Sequence, residues 1–131
     1  MPIRGGDWYD GGFWKRLYTH EWNANDQELY NLWSYLFQSV VRCNDAIALI
    51  DKHKHLLTQA QLKAYDAEAR AIRAMYYYYL VDLFGNVPLL ERNHTSVAEV
   101  SNTRRSQIFY FAFIELQQVA PYLAEIGRAH V

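Results

Sequence analysis

Tryptophans with polar neighbours near the start of the chain are the residues best suited to bind a ligand. They occur in Asp7-Trp8-Tyr9-Asp10, at Trp14 and in Glu21-Trp22-Asn23. Flat aromatic faces stack on the faces of pyranose sugars, and short polar side chains hydrogen-bond sugar hydroxyls. The candidate glycan-binding residues are therefore Trp8, Tyr9, Trp14, Trp22 and Asn23. Packing of the same rings against other parts of a larger protein is the alternative, and the sequence leaves both interpretations open.

Other patterns offer little chemistry. Asp7 and Asp10 precede a glycine pair, but two carboxylates are fewer than a calcium loop needs. His53 and His55 are two residues apart, do not share a helix face and have no third ligand nearby. Phosphate-binding glycine motifs, a Ser/His/Asp order and paired catalytic carboxylates are not recognisable. We therefore predict no metal, no cofactor and no enzymatic activity.

Composition restricts the partners of the chain. Its 13 basic and 14 acidic residues give a net charge of −1, which predicts no nucleic acid and no anionic membrane as a partner. No apolar run approaches the roughly 20 residues of a membrane-spanning helix. Cys43 is the single cysteine and lies in an apolar helical row, so we expect an inert, buried thiol.

The stretch from Thr58 to Gly85 predicts one long helix. Thr58 and Gln61 form a capping-box pair at its start, and Gly85 followed by Pro88 ends it. Two apolar rows at helical spacing predict packing against two neighbours, with Tyr77 outside both rows. The rows are Tyr65, Ala69, Ile72, Tyr76, Tyr79, Leu83 and Ala64, Ala67, Ala71, Ala74, Tyr78, Val81.

Two further long helices flank this one. The first is predicted over Asp26–Asp51 with Asn25 as its cap, and the other from Ser106, as N-cap, to about Ala120. The short connector 52–57 predicts that the first two are antiparallel, whereas Leu89–Arg104 reads as an extended polar connector. The fold class is all-α: an antiparallel helical hairpin plus a third helix, tetratricopeptide-like, in which one hairpin cannot bury its own faces.

Polar residues on these helices are expected to serve packing. Asn44 borders the apolar row of the first long helix, so burial would require a hydrogen bond to a neighbouring helix or loop. Asp66 is one turn from Arg70, and Arg73 follows three residues later. Such charges predict a polar helix face or a means of fixing loops to it.

Three segments resemble the signature helices of the SusD/RagB family, the glycan-capturing outer-membrane lipoproteins of Bacteroidetes. In chain order they are Trp33-x-x-Leu36-Phe37-x-x-Val40-x-x-Cys43-Asn44, then Glu68-Ala69-Arg70-x-x-Arg73-Ala74-x-x-Tyr77-x-x-Leu80-x-x-x-Phe84-Gly85-x-Val87-Pro88-Leu89, then Arg105-Ser106 leading to Phe109, Glu115 and Leu116. Phe37 and Cys43 replace the usual Tyr and Ala, and Ala112 stands where Ile is usual.

The resemblance covers most of Asn23 to Leu123, and it implies a function. It implies tetratricopeptide-like hairpins with a glycan-binding surface, partnered by an oligosaccharide and a SusC-like TonB-dependent transporter at the cell outer membrane, with binding and uptake but no bond broken. It also implies a surface-exposed protein of which this is a fragment, since the family's signal peptide and lipid anchor are missing here. The matched motifs do not carry the family's binding residues, so the glycan is not identified.

We divide the chain into three parts. Residues 1–24 are an irregular aromatic-rich segment in which 12–19 has helical spacing, and 25–124 are the SusD-like helical region. The last part, 125–131, back-translates to the start of a common sequencing-library adapter, so we interpret it as read-through. A helical-repeat scaffold for protein interaction, without ligand binding, is the alternative function. It would bury the upstream rings, whereas a binding module would expose them.

Overall fold

A computed structural model describes residues 10–93 and 100–123 of the chain. Trp8, Tyr9 and the 125–131 tail lie outside the described residues. Within them the chain forms four α-helices: α1 (Phe13–Tyr18), α2 (Gln27–Lys52), α3 (Gln59–Phe84) and α4 (Arg105–Val119). Short 3₁₀ turns occupy Asp10–Gly12, Lys54–Leu56 and Ala120–Tyr122. The chain divides into two compact units, residues 1–35 and 36–131, with the boundary inside α2.

Both ends of α3 follow from local sequence, as predicted. The Gln61 backbone N–H donates to Thr58 Oγ1 at 3.2 Å, and the Thr58 N–H donates to Gln61 Oε1 at 3.0 Å. This reciprocal pair is a complete capping box. At the other end Gly85 takes a φ of 76° and donates its N–H to Val81 O. A side chain at that φ would be strained, which is why glycine ends the helix here.

The other two helix starts differ from the prediction. α2 begins at Gln27, so Asp26 and not Asn25 directly precedes it. α4 begins at Arg105, after Arg104, and the prediction of Ser106 as its N-cap is wrong because Ser106 already lies in the first turn. The Arg105 backbone N–H instead donates to Asn86 Oδ1 at 2.9 Å. An acceptor far away in sequence therefore replaces the local cap.

Within the second unit the long helices alternate in direction. Arg73 of α3 bonds Asn44 of α2, and Tyr77 of α3 contacts Phe111 of α4 through an edge-on ring pair. Arg70 meets Glu115 and Asn86 meets Arg105, so α4 runs antiparallel to α3. Because only residues 53–58 join α2 to α3, the contact between Asn44 and Arg73 requires these two helices to be antiparallel as well. The predicted antiparallel hairpin plus third helix is confirmed.

The connector between α3 and α4 contains a pairing that the sequence did not predict. Strands β1 (Val87–Pro88) and β2 (Asn102–Thr103) are antiparallel, with Val87 opposite Thr103 and Pro88 opposite Asn102. Val87 is fully buried. The pairing therefore joins the two ends of the connector, one just after α3 and the other just before α4.

The predicted rotation of α3 is wrong in part. Tyr77, placed outside both apolar rows, is fully buried, as are Ala74 and Leu80. Most of the row that begins at Tyr65 is exposed to solvent, namely Tyr65, Ile72, Tyr79 and Leu83. In the other row, Ala67 and Val81 are buried as expected. The reason is that α4 packs on the face around Tyr77, and apolar periodicity alone does not distinguish this face from its neighbours.

Buried apolar side chains of all three long helices form the core of the second unit. They include Leu36, Val40, Ala74, Tyr77, Leu80, Ile108 and Val119. Cys43 is buried and unpaired, as predicted. In the part of the chain that the structure describes, no helix has the length and apolarity needed to cross a membrane.

Candidate functional site

A short helix and a tight turn carry the candidate aromatic residues of the first unit. Phe13 buries its ring and anchors α1, while Trp14 contacts the Phe13 ring edge-on and is 48% exposed. α1 ends when the Glu21 N–H donates to Arg16 O at 2.8 Å and the His20 N–H donates to Leu17 O at 3.3 Å. This is the Schellman arrangement for closing a helix.

The residue in the left-handed position of that closure is unusual. His20 has a φ of 60°, and no other non-glycine residue in the described part of the chain has a positive φ. Glycine is the common choice because it has no Cβ to clash. The His20 ring lies against the Trp22 ring, with centroids 5.2 Å apart and planes at 46°. Trp22 is nonetheless 47% exposed, so about half of its surface is accessible to solvent in this chain.

The chain after Trp22 is fastened by Asp26. The Asn23 N–H donates to Asp26 Oδ2 at 2.9 Å, and the Asn25 N–H donates to Asn23 Oδ1 at 2.9 Å. Arg16 forms an ion pair with the other Asp26 oxygen and also donates to Gly11 O. The hydrogen bond from the Asn23 backbone, followed by that from Arg16, lowers the pKa of Asp26 below its ordinary value. The turn that carries Trp22 is thus held on both sides.

The candidate residues therefore fall into three groups. Trp8 and Tyr9 lie outside the described residues. Trp14 lies on α1, and Trp22 and Asn23 lie in the turn between α1 and α2; all three are exposed. Sequence reasoning missed His20, Arg16 and Asp26, which shape the turn. A sequence signal existed for His20, because it occupies the position just after a helix where glycine is usual.

A second polar cluster joins the three long helices. Arg73 and Glu115 are both buried, and Arg73 Nη2 donates to Glu115 Oε2 at 2.6 Å. The other oxygen of Glu115 accepts from Arg70 Nη2 at 2.6 Å and Nε at 2.9 Å. The hydrogen bond that Arg70 donates to Glu115 raises the pKa of Arg70 above its ordinary value. Asp66 also pairs with Arg70, at 3.6 Å, as predicted.

This cluster also fixes the connector that follows β1. Arg73 Nη1 donates to Asn44 Oδ1 at 2.8 Å and to Glu91 O at 2.9 Å, and Asn44 Nδ2 donates to Leu90 O at 3.0 Å. The expectation that a buried Asn44 must bond a neighbouring helix or loop is confirmed. Arg73 also lies over the Phe111 ring at 5.3 Å, a cation–π contact. The cluster holds helices and loop together.

The described residues contain no apparent site for a metal. No group of three or more His, Cys, Asp or Glu side chains is arranged to hold an ion in residues 10–93 and 100–123. Burial raises the pKa of Cys43, which keeps its thiol protonated and unreactive. His53 points one ring nitrogen at Leu49 O, 3.0 Å away.

A family model described as starch-binding and associating with the outer membrane matches residues 7–109. This chain belongs to the SusD-like family. The match begins at residue 7, inside the aromatic-rich segment, and includes α1, α2 and α3.

Individual relatives agree with the family. A SusD-like protein from Bacteroides ovatus is 28% identical over 132 residues, covering 95% of this chain and 24% of that protein. A solved structure described as containing a xylogluco-oligosaccharide is 25% identical with a TM-score of 0.77, over 92% of this chain and 23% of that one. The surface glycan-binding protein A of Bacteroides uniformis is 31% identical with a TM-score of 0.73, over 82% and 23% of the two chains.

A more distant neighbour shows the fold alone. A SusD-like protein from Bacteroides fragilis superposes with a TM-score of 0.76 at 19% identity. The present SusD-like chain spans about a quarter of the length of these relatives.

Proposed function

We propose that this chain is the helical part of a glycan-binding protein of an outer-membrane polysaccharide uptake system. It binds an oligosaccharide at the cell surface, passes it to a SusC-like TonB-dependent transporter and breaks no bond. The candidate contact residues are Trp8, Tyr9, Trp14, Trp22 and Asn23. The observation that carries the proposal is Trp22, a ring that is 47% exposed on a turn fastened at both sides in a SusD-like chain.

Exposure of the rings favours binding over a pure scaffold. A ring that stacks on a sugar must be accessible, and Trp14 and Trp22 each leave about half of their surface open in this chain. A stacked ring covers roughly 50–100 Å² of a sugar face, worth about 1–2.5 kcal/mol before ordering costs. Two or three such rings give micromolar to millimolar capture, which suits release to a transporter.

The test is calorimetric titration of the full-length protein with a xylogluco-oligosaccharide, a maltooligosaccharide and a cellooligosaccharide. We expect at least one to bind and Trp22→Ala and Trp14→Ala to weaken it by more than about threefold, or 0.65 kcal/mol. Tyr110→Ala is the matched control, since Tyr110 is an even more exposed aromatic ring, on α4. Binding that neither tryptophan substitution weakens would place the contact residues elsewhere, and chromatographic detection of shorter glycans would refute binding without cleavage.

A further inference from the structure

Helix closure alone does not explain the backbone conformation of His20, in the turn between α1 and α2, or its ring contact with Trp22. His20 occupies the left-handed position, with a φ of 60°, that glycine fills without a clash. The closing hydrogen bonds use backbone atoms of His20 and Glu21 and need no side chain at His20. A non-glycine in this conformation is therefore a local cost that some other interaction must offset.

The other interaction is the contact between the two rings. The His20 imidazole lies 5.2 Å from the Trp22 indole, centroid to centroid, and tilted by 46°. Both side chains are otherwise exposed at the surface. A tryptophan on an exposed turn has several rotamers available, and a neighbouring ring that occupies one side removes some of them.

The backbone around Trp22 is already fixed without His20. The Glu21 N–H is bonded to Arg16 O at 2.8 Å on one side, and the Asn23 N–H is bonded to Asp26 Oδ2 at 2.9 Å on the other. Thr19 Oγ1 donates to Glu21 Oε2 at 2.8 Å and ties the turn further. What these bonds leave undetermined is the direction of the Trp22 ring.

We propose that His20 is a positioning residue that orients the Trp22 ring for stacking on a glycan. The inference rests on the proposed function, in which Trp22 contacts the ligand. Holding a binding ring in its bound orientation before the ligand arrives lowers the ordering cost of association. The strained backbone of His20 is then the consequence of needing an aromatic side chain at a position that favours glycine.

Substitutions at His20 separate this role from a merely structural one. His20→Gly removes the ring and relieves the backbone, so we expect unchanged or higher thermal stability together with at least threefold weaker glycan binding. His20→Phe keeps a ring in the strained position, so we expect lower or equal stability with affinity within twofold of the wild type. If His20 only stabilised the turn, affinity would follow stability in both variants, and that pattern would overturn the proposal.

The experiment is calorimetry of the full-length protein with the xylogluco-oligosaccharide and the maltooligosaccharide, paired with thermal melts. Trp22→Ala and the double variant His20→Gly with Trp22→Ala complete the cycle. Because His20 acts through Trp22, the double variant should bind no more weakly than Trp22→Ala. Further weakening in the double variant would overturn the positioning role.

The cycle also separates this inference from its premise. If Trp22→Ala weakens binding and His20→Gly does not, the positioning role fails and the proposed function remains. If the wild-type protein binds neither probe, or Trp22→Ala leaves binding unchanged, the proposed contact residue fails and the inference fails with it.

Discussion

The hydroxyl of Tyr77 accepts a hydrogen bond of 2.6 Å from the backbone N–H of Leu90. The same hydroxyl lies 3.3 Å from Leu90 O, to which it donates. One buried phenol thus satisfies both backbone groups of a residue in the connector after β1. Burial raises the pKa of Tyr77 to about 12, so the hydroxyl keeps its proton and its capacity to donate at any physiological pH.

Tyr77→Phe should lower the free energy of unfolding by about 1–2 kcal/mol, because it leaves the part-buried backbone N–H of Leu90 without its partner, whereas Leu90 O keeps its hydrogen bond from Asn44. Urea denaturation followed by circular dichroism measures the change. Tyr78→Phe is the control: the Tyr78 side chain is 56% exposed, so the effect of removing its hydroxyl should stay within about 0.5 kcal/mol. Equal effects of the two substitutions would show that the Tyr77 hydroxyl contributes nothing to stability.

Glu115→Gln should destabilise the protein by about 3–5 kcal/mol, because it removes the counter-charge of the buried Arg73 guanidinium. Asp66→Asn provides the matched control. It removes a carboxylate 3.6 Å from Arg70 in a partly exposed pair, and exposed pairs are worth about 0–1 kcal/mol. The two urea midpoints distinguish a buried pair from an exposed one, and a Glu115→Gln protein as stable as Asp66→Asn would contradict the assignment.

The pair between Arg16 and Asp26 should make the first unit sensitive to acid. Since the folded-state pKa of Asp26 is lowered, its stabilising contribution is fully present above the ordinary value of 3.8 and is lost as pH falls through the lowered pKa. We expect the protection of the Asn23 amide against exchange, measured relative to its intrinsic rate at each pH, to fall over that acid range, because this N–H is bonded to the carboxylate. Asp26→Asn should exchange faster already at pH 7 and lose the acid dependence; an unchanged acid profile in that variant would show that another group is responsible.

An apolar groove between α3 and α4 is open at the surface of the second unit. Its volume is about 380 Å³, and it is lined by Met75, Tyr78, Val81, Phe109, Ala112, Phe113 and Leu116. Phe109 and Phe113 stack nearly parallel, at 12°, and both remain about half exposed. Exposed apolar patches of this kind bind apolar dyes.

Replacing both rings, Phe109→Gln with Phe113→Gln, should therefore reduce fluorescence of the dye ANS bound to this chain without lowering its thermal midpoint. The rings contribute little burial in this structure, so their loss costs little. Tyr110→Gln, on the same helix and outside the groove lining, should leave dye binding unchanged. A double variant that melts well below the wild type would mean that the two rings are buried in solution.

The sequence determined the features that depend on residues a few positions apart. Thr58 and Gln61, which form the capping box, are three residues apart, and the Gly85 N–H bonds Val81 O four residues earlier. The sequence pattern therefore predicted both helix ends correctly. The helical hairpin and the family resemblance followed from the same local periodicity and motifs. The burial of Cys43 and the need of Asn44 for partners were also readable, since each lies in or beside an apolar row.

Tertiary structure decided what depends on residues far apart in sequence. Glu115 meets Arg73 across 42 positions, and Asn44 meets Leu90 across 46, which no spacing rule anticipates. The same holds for the face that α3 buries. Several faces of that helix are apolar, and only the packing of α4 selects the one around Tyr77. The His20–Trp22 contact is close in sequence, yet it depends on a left-handed backbone that helical periodicity does not encode, because a histidine adopts it only when surrounding hydrogen bonds hold it there.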